Sequence, residues 1–356
     1  MSLAGVRVLD LSRLLPGPYS TRMLADLGAD VIRIEDLEGG DWLREFGIDD
    51  DGRSPLFEWV NRGKRSVRLN LKSEGGRRAF LRLAGDADVV VEGFRPGVLE
   101  RLDIGHEVLR EANPRLILCR LSGYGQDGPY RDRAGHDLNY VSLSGIIANG
   151  VGDGHAPAIP VLQIADLAGG ALPAVIAILA ALYEVGRSGV GKQLDISMLD
   201  GAVALLAPDA GPDSPLDGRH PCYRFYRCAD GWMSLGALEP KFWLAFLRHL
   251  GLEELADSAF AEGVEARHAA QRVEALLVTR TRDEWTREFQ AVDACFEPVL
   301  SQSERQHHAQ IAHRLQRSRP ESRPAPAAGE HTREVLRETG MPDAEIDELI
   351  ESAAAA

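Results

Sequence analysis

The chain has 356 residues, with 54 Asp and Glu against 40 Lys and Arg and a formal net charge of −14. Sequence-independent nucleic-acid binding and docking on anionic lipid both need a basic surface, so this balance argues against either partner. A 44% hydrophobic fraction with 26% charged residues is ordinary globular composition, and the length is enough for two domains of common size.

The opening MSLAGVRVLDLS lacks the basic-then-apolar layout of a secretion signal and reads as a first strand over 6–12. PGPYSTRMLADLG (16–28) follows as a helix, with Pro in its first turn and Gly28 at its stop. VIRIE (31–35), SVRLNL (66–71), VVVEGF (89–94) and LILCRLS (116–122) read as further strands, separated by helical stretches such as GGRRAFLRLAGD (75–86). Alternation of this kind predicts a parallel sheet covered on both faces, an α/β, Rossmann-like plan. No GxGxxG follows the first strand, so a dinucleotide is not implied.

Two longer helical patterns, near 166–186 and 197–207, flank GVGKQLDIS, a turn plus a strand. The longest apolar run, Ala171–Tyr183, has 13 residues including Pro173, too short to cross a bilayer. PDAGPDSPLDGRHP (208–221) reads as a linker. Beyond it, the strands YRFYRC and WMSLGAL and helices from Pro240 to about Gln290 predict a smaller α+β domain. RLQRSRPESRPAPAAG (314–329) reads as a second linker, and the tail as two helices around a Gly340–Pro342 turn. Cys119, Cys222, Cys228 and Cys295 form no CxxC pair, which points away from a disulfide framework or a metal site and toward a reducing, cytoplasmic setting.

Some residues have both a bland and a chemical reading. His136 and Asp137 open a predicted helix and Asp166 precedes another, where a capping role is the simple alternative. Each nevertheless follows a strand end, where α/β sheets bind ligands, and helix N-termini stabilise negative charge. An imidazole and a carboxylate facing one such pocket could remove a proton α to a carbonyl and return it. Arg62, Lys64, Arg65, Arg68 and Lys72 lie between Trp59 and Ser73 with no acid among them, either a solvated strand edge or a phosphate cradle. Arg95 in EGFRPG sits on a loop after a strand. Glu239, before Pro240, is either a cap or a functional acid.

LSRLLPGPYSTRMLADLGADVIRIE, NRGKRSVRLNLK, ADVVVEGFRPGVLERLDIG, LSGYGQDGPY, AGHDLNYVSLSG and the DLAGG segment at Asp166 resemble the family III CoA-transferases (CaiB/BaiF), closest to the α-methylacyl-CoA racemase branch. The likeness runs in order from residue 3 to about 340. It implies an interlocked homodimer. A large Rossmann-like domain would begin with 1–207 and be completed by helices at 330–356. A small α+β domain would span 226–313, with crossings at 208–225 and 314–329.

The resemblance also implies roles. Asp166 matches the transferases' aspartate nucleophile, which the racemases keep, and His136 matches the histidine of their GHDxNY motif. Glu239, in GA-x-EP, matches that histidine's partner, and Tyr223 is a looser match to a tyrosine near the aspartate. Where the racemases often carry a basic or proline residue near CoA, this chain has Asp36-Leu37-Glu38. Arg62, Lys64, Arg65 and Arg95 are therefore expected to carry more of the CoA load. The implied activity is epimerisation of 2-methyl-branched acyl-CoA thioesters by 1,1-proton transfer through an enolate held at the helix opening at Asp137. CoA is part of the substrate, and neither metal nor redox cofactor is expected. The alternative is CoA transfer between carboxylic acids through an Asp166 acyl anhydride.

Overall fold

The computed structural model describes residues 2–147, 157–206, 214, 216–318 and 323–356. Its first unit, Met1–Leu206 with Pro320–Ala356, is built on a sheet of strands β1 (Arg7–Asp10), β2 (Asp30–Glu35), β3 (Arg65–Arg68), β4 (Val89–Glu92), β5 (Ile117–Ser122) and β6 (Lys192–Ser197). All pairings are parallel, in the order β3-β2-β1-β4-β5-β6. Successive side chains alternate between the two faces. Leu9, Ile32, Val67, Val90 and Leu118 enter one core, and Val8, Val31, Val89, Val91 and Cys119 the other. Burial on both faces is why central β4 reads as a continuous apolar run, whereas the edge strands β3 and β6 carry polar residues.

Helices α1 (Pro16–Asp26), α2 (Pro55–Asn61), α3 (Glu74–Gly85), α4 (Val98–Arg101), α5 (His106–Ala112) and α6 (Asp137–Ser144) follow within the same unit. A π-helical stretch, Ala165–Ala171, then runs into α7 (Leu172–Ser188), and α8 (Met198–Ala204) follows β6. Phe80 and Leu83 of α3 and Leu109 of α5 fill the first core. Leu24 of α1, Ile178 of α7 and Ala202 of α8 fill the second.

The second unit, Ala207–Arg319, carries an antiparallel sheet of β7 (Tyr223–Cys228), β8 (Gly231–Gly236) and β9 (Phe296–Pro298) in that order. With it are α9 (Pro240–Leu250), α10 (Gly263–Leu277), α11 (Arg282–Glu288), α12 (Gln302–Arg305) and α13 (Ala309–Ser318), around Trp243, Phe246, Val273 and Phe289. The chain then returns: α14 (Thr332–Glu338) and α15 (Asp343–Glu351) place Val335, Leu336, Ile346 and Leu349 in the first unit's core.

Three details differ from the sequence reading. Strand β7 opens at Tyr223, inside 208–225, because its pairing with β8 extends to Gly236; residues 207–213 lie outside the described residues. Helix α13 runs to Ser318, inside 314–329, since the Pro residues that stop it come only at 320 and beyond. The helical run Ala165–Ser188 has 24 residues, long and apolar enough by length and composition to cross a bilayer. Its Ala174, Val175, Ile178, Ala181 and Val185 are instead buried against the sheet.

Beneath the sheet's C-terminal edge lies a buried ionic network. The Lys64 ammonium donates to Asp10, Asn61 Oδ1 and the Pro18 carbonyl, each at 2.9 Å. Arg33 donates to Asn61 Oδ1 at 3.0 Å and to Asp41 at 2.5 Å. Burial opposes charge on Asp10, but Lys64 and Arg33 outweigh it and hold the carboxyl down to about 2; burial draws Lys64 down to about 8 against the pull of Asp10. Asp10→Asn leaves two buried cations short of their counter-charge and should cost about 3–5 kcal/mol. Urea unfolding checks this, and an unchanged midpoint would contradict it.

Candidate active site

The sheet order reverses between β1 and β4, and open α/β sheets bind ligands outside the strand C-termini at such a point. A cavity of about 330 Å³ lies there, walled by the segments that follow β1, β4 and β5. The β1 segment supplies Ser12, Arg13 and Leu14, with Leu14 at φ +63°. That left-handed backbone is held by Asp41, whose carboxylate accepts the Leu14 N–H at 3.2 Å and also Leu43 N–H at 3.0 Å. The β4 segment supplies Gly93 to Pro96. The β5 segment supplies Gly123, Tyr124, Arg131, Arg133 and Gly135.

His136 and Asp166 line this one cavity. His136 is exposed and occupies the N-cap position of α6; its backbone N–H donates to Asn139 Oδ1 at 3.0 Å, so the Asn of the GHDxNY motif ties down the helix start. Asp137 is the first helical residue rather than the cap. Its buried carboxylate accepts the Asp166 backbone N–H at 3.0 Å, joining the two segments across the site. Asp166 does not cap a helix either, because it lies inside the π-helical stretch, and its half-buried side chain has no backbone partner among the described residues. Burial, then the nearby Asp137 charge, pushes its carboxyl up to about 7. Tyr140, one helical turn on, donates from its hydroxyl to the Gly135 carbonyl at 2.6 Å. A side chain at Gly123 or Gly135 would run into the Tyr140 ring.

The other predicted site residues are divided between the two units. Glu239 belongs to the second unit, where it is exposed at the N-cap of α9 and makes no side-chain cap. Tyr223 opens β7 in that same unit. The basic cluster is a correction. Arg62 pairs with Asp26 at 2.8 Å, Lys64 is wholly buried on Asp10, and Arg65 is spread over Asp30, Glu334 and Glu338 at 2.6–2.9 Å. Their charge is neutralised inside the fold, so they offer no open phosphate cradle. Arg95 does line the cavity, exposed, and its side chain has no ion pair or hydrogen bond among the described residues.

The arginines that join it went unread. Arg13, Arg131 and Arg133 also line the cavity. Two of them stand in YRDRAGHD, immediately before His136, and that adjacency was the available signal. A second cavity, of about 300 Å³, shares Arg13 and Phe94 with the first and is otherwise lined by residues including Asp36, Leu69, Asn70 and Lys72. Here the acidic departure after β2 is visible: Arg68 donates to the carbonyls of Asp36 and Leu37, while the Asp36 carboxylate stands 3.8 Å from Arg13.

A doubly wound sheet with a histidine and a pKa-shifted aspartate at its switch point defines an α/β enzyme. The profile of CoA-transferase family III matches residues 3–332, and the chain belongs to that family. It is 36% identical over 389 aligned residues to the alpha-methylacyl-CoA racemase of Mus musculus, covering 99% of this chain and 98% of that one. The acetyl-CoA:oxalate CoA-transferase of Acetobacter aceti is 43% identical over 203 residues, 57% of this chain and 52% of its own. Among solved structures, a CAIB/BAIF family protein from Brucella suis superposes with a TM-score of 0.80 at 29% identity, covering 94% of this chain and 98% of that one.

The raised Asp166 carboxyl makes a stability test. An unfolded aspartate titrates near 3.9, whereas the folded group titrates at about 7, so the native state holds more protons between those values. Stability contributed by the protonated acid is therefore lost as pH rises through this window. Asp166→Asn should raise Tm by about 2–4 °C at pH 8, with the gain vanishing near pH 4. A pH-independent gain would show that Asp166 titrates normally.

Proposed function

We propose that the chain epimerises 2-methyl-branched acyl-CoA thioesters by 1,1-proton transfer. The observation that carries this reading is that His136 lines the same cavity as Asp166, an aspartate with a raised pKa. A thioester acidifies its α-proton because removal gives an enolate. One of the two side chains takes that proton, and the other supplies one to the opposite face. A carboxyl near neutrality suits both directions, since proton transfer is most effective when the group's pKa lies near the working pH. The enolate oxygen is assigned to the start of α6, where the Asp137 and Leu138 N–H groups have no acceptor among the described residues and the helix dipole favours negative charge. Two cavities sharing Arg13 and Phe94 suit an elongated ligand with a polyanionic middle, which is the shape of an acyl-CoA. CoA enters as part of the substrate, and the chemistry requires no metal or redox cofactor.

The second reading is CoA transfer through an Asp166 anhydride, favoured by the likeness to the oxalate transferase over the shared 203 residues. Incubation of a 2-methylacyl-CoA in D2O separates the two. Racemisation exchanges the α-proton without a second carboxylic acid, and His136→Ala or Asp166→Ala should slow it about 100-fold or more. Glu239→Gln belongs in the same series, because the family resemblance pairs that acid with the histidine. CoA appearing on added oxalate or succinate with no α-exchange would establish the transferase instead.

The proposal includes a homodimer in the cytoplasm. In support, α6, α7 and α8 leave Leu143, Ile176, Tyr183 and Val203 at least half exposed, an unusual apolar load for a lone surface. Ile176→Glu should shift the sedimentation coefficient toward that of a monomer. A wild-type protein already sedimenting as a monomer rejects the dimer.

A further inference from the structure

Glu92 is a buried carboxylate at the C-terminus of β4 that the proton-transfer chemistry does not use. One of its oxygens accepts the backbone N–H of Phe94 at 2.7 Å, and the other accepts Arg120 Nε at 2.9 Å. Arg120 is its register partner on β5. The far side of the same guanidinium forks onto Glu100 of α4, at 2.9 and 3.2 Å. Arg120 thus joins the residue just before the Gly93–Gly97 segment to a residue just after it. Gly97 closes that segment with φ +82°, a conformation that costs a glycine little. Between these fixed ends stand Phe94, which lines both cavities, and Arg95, whose guanidinium has no partner among the described residues.

We infer that Glu92, Arg120 and Glu100 form a clamp that sets the pocket's affinity for the CoA portion of its thioester by holding Phe94 and Arg95 in place. The inference rests on the acyl-CoA reading above and adds positioning residues to it. A segment of five residues with an exposed arginine loses conformational entropy when a ligand orders it, and a clamp that orders it beforehand removes that cost from binding. Both pairs are charge-assisted, but only the Glu92–Arg120 bond is buried; the Glu100 pair is partly solvated and so weaker. Glu92, Glu100 and Arg120 line neither cavity, so the clamp acts on binding through the segment it holds.

Two variants test it. Glu92→Gln keeps an acceptor for the Phe94 N–H but removes the charge facing Arg120. Glu100→Gln releases only the outer half, at a side chain that is 48% exposed and so safe for folding. The expected result is a rise in KM for the acyl-CoA of about 10-fold for Glu92→Gln and about 3-fold for Glu100→Gln, with kcat within about 2-fold of wild type. The dissociation constant for free CoA, measured by calorimetry, should rise in step. Glu92→Asp, which restores the charge, should recover part of the loss. KM and CoA affinity unchanged in folded Glu92→Gln overturn the clamp, as does a loss confined to kcat. Should Glu92→Gln not fold, unchanged KM and CoA affinity in Glu100→Gln overturn it alone. Wild-type protein that binds CoA without exchanging the α-proton refutes the racemase reading and leaves this test standing, because calorimetry reads binding directly. Wild-type protein that binds no CoA overturns the clamp.

Discussion

The site depends on the buried bond network joining Asp10, Lys64, Asn61, Arg33 and Asp41. These groups come from the ends of β1 and β2, from α2 and from the residues next to them, and each satisfies charge or hydrogen bonding that another would leave exposed to a dry interior. Asp10 also accepts from Ser12 and Thr21, and Asp41 from the Leu14 backbone, so the network reaches directly into the segment that walls the cavity. A left-handed leucine is costly on its own. It persists here because the surrounding bonds over-determine it. The chain has therefore put its polar burial where the ligand segment must not move, and left the flanking sheet to hydrophobic packing. Glu92 and Arg120 repeat the arrangement one strand over.

A second constraint acts at the two candidate catalytic groups. Asp137 is held by the Asp166 backbone N–H, so its charge is fixed beside the Asp166 carboxyl rather than free to turn away. Burial and this neighbour act in the same direction. The tie also couples the start of α6 to the π-helical stretch, which fixes His136 and Asp166 as walls of one cavity even though thirty residues separate them in sequence. A loop carrying either group alone could not guarantee that.

Much of this was legible in the residues. The central strands of the large sheet announce themselves as apolar runs because both faces are covered, and α1 and α3 show their stops in Gly28 and in the Gly85–Asp86 break. Arg95 could be placed because it directly follows β4, whereas the expected strand ends before His136 and Asp166 are not there: thirteen residues part His136 from β5, and the described element before Asp166 is α6. The π-helical stretch was not legible, since widening one turn leaves no periodic mark; in the fold it accompanies the close approach of Gly169 to Gly201. Arg62, Lys64 and Arg65 were misread for a different reason. Counting charge along 59–73 sees no acid, but their partners are Asp26, Asp10, Asp30, Glu334 and Glu338, up to 273 residues away. Local charge is a property of the fold, and a sequence window reports only half of it.

The same point resolves the tension between a net charge of −14 and a polyanionic ligand. At physiological ionic strength the field of exposed charges decays over about 8 Å, so most of the acidic surface is invisible to a phosphate already at the cavity mouth. The two cavities are lined by Arg13, Lys72, Arg95, Arg131 and Arg133, with Glu35, Asp36 and Asp166 as their acids. Burial, then the Asp137 charge, pushes the Asp166 carboxyl up to about 7, so it carries less negative charge at neutral pH than an exposed aspartate. The burial that raises the aspartate's pKa thus also weakens the negative charge in the pocket's balance. On the proposed reading, protonation of Asp166 and attraction of the thioester's phosphates act through the same desolvated wall.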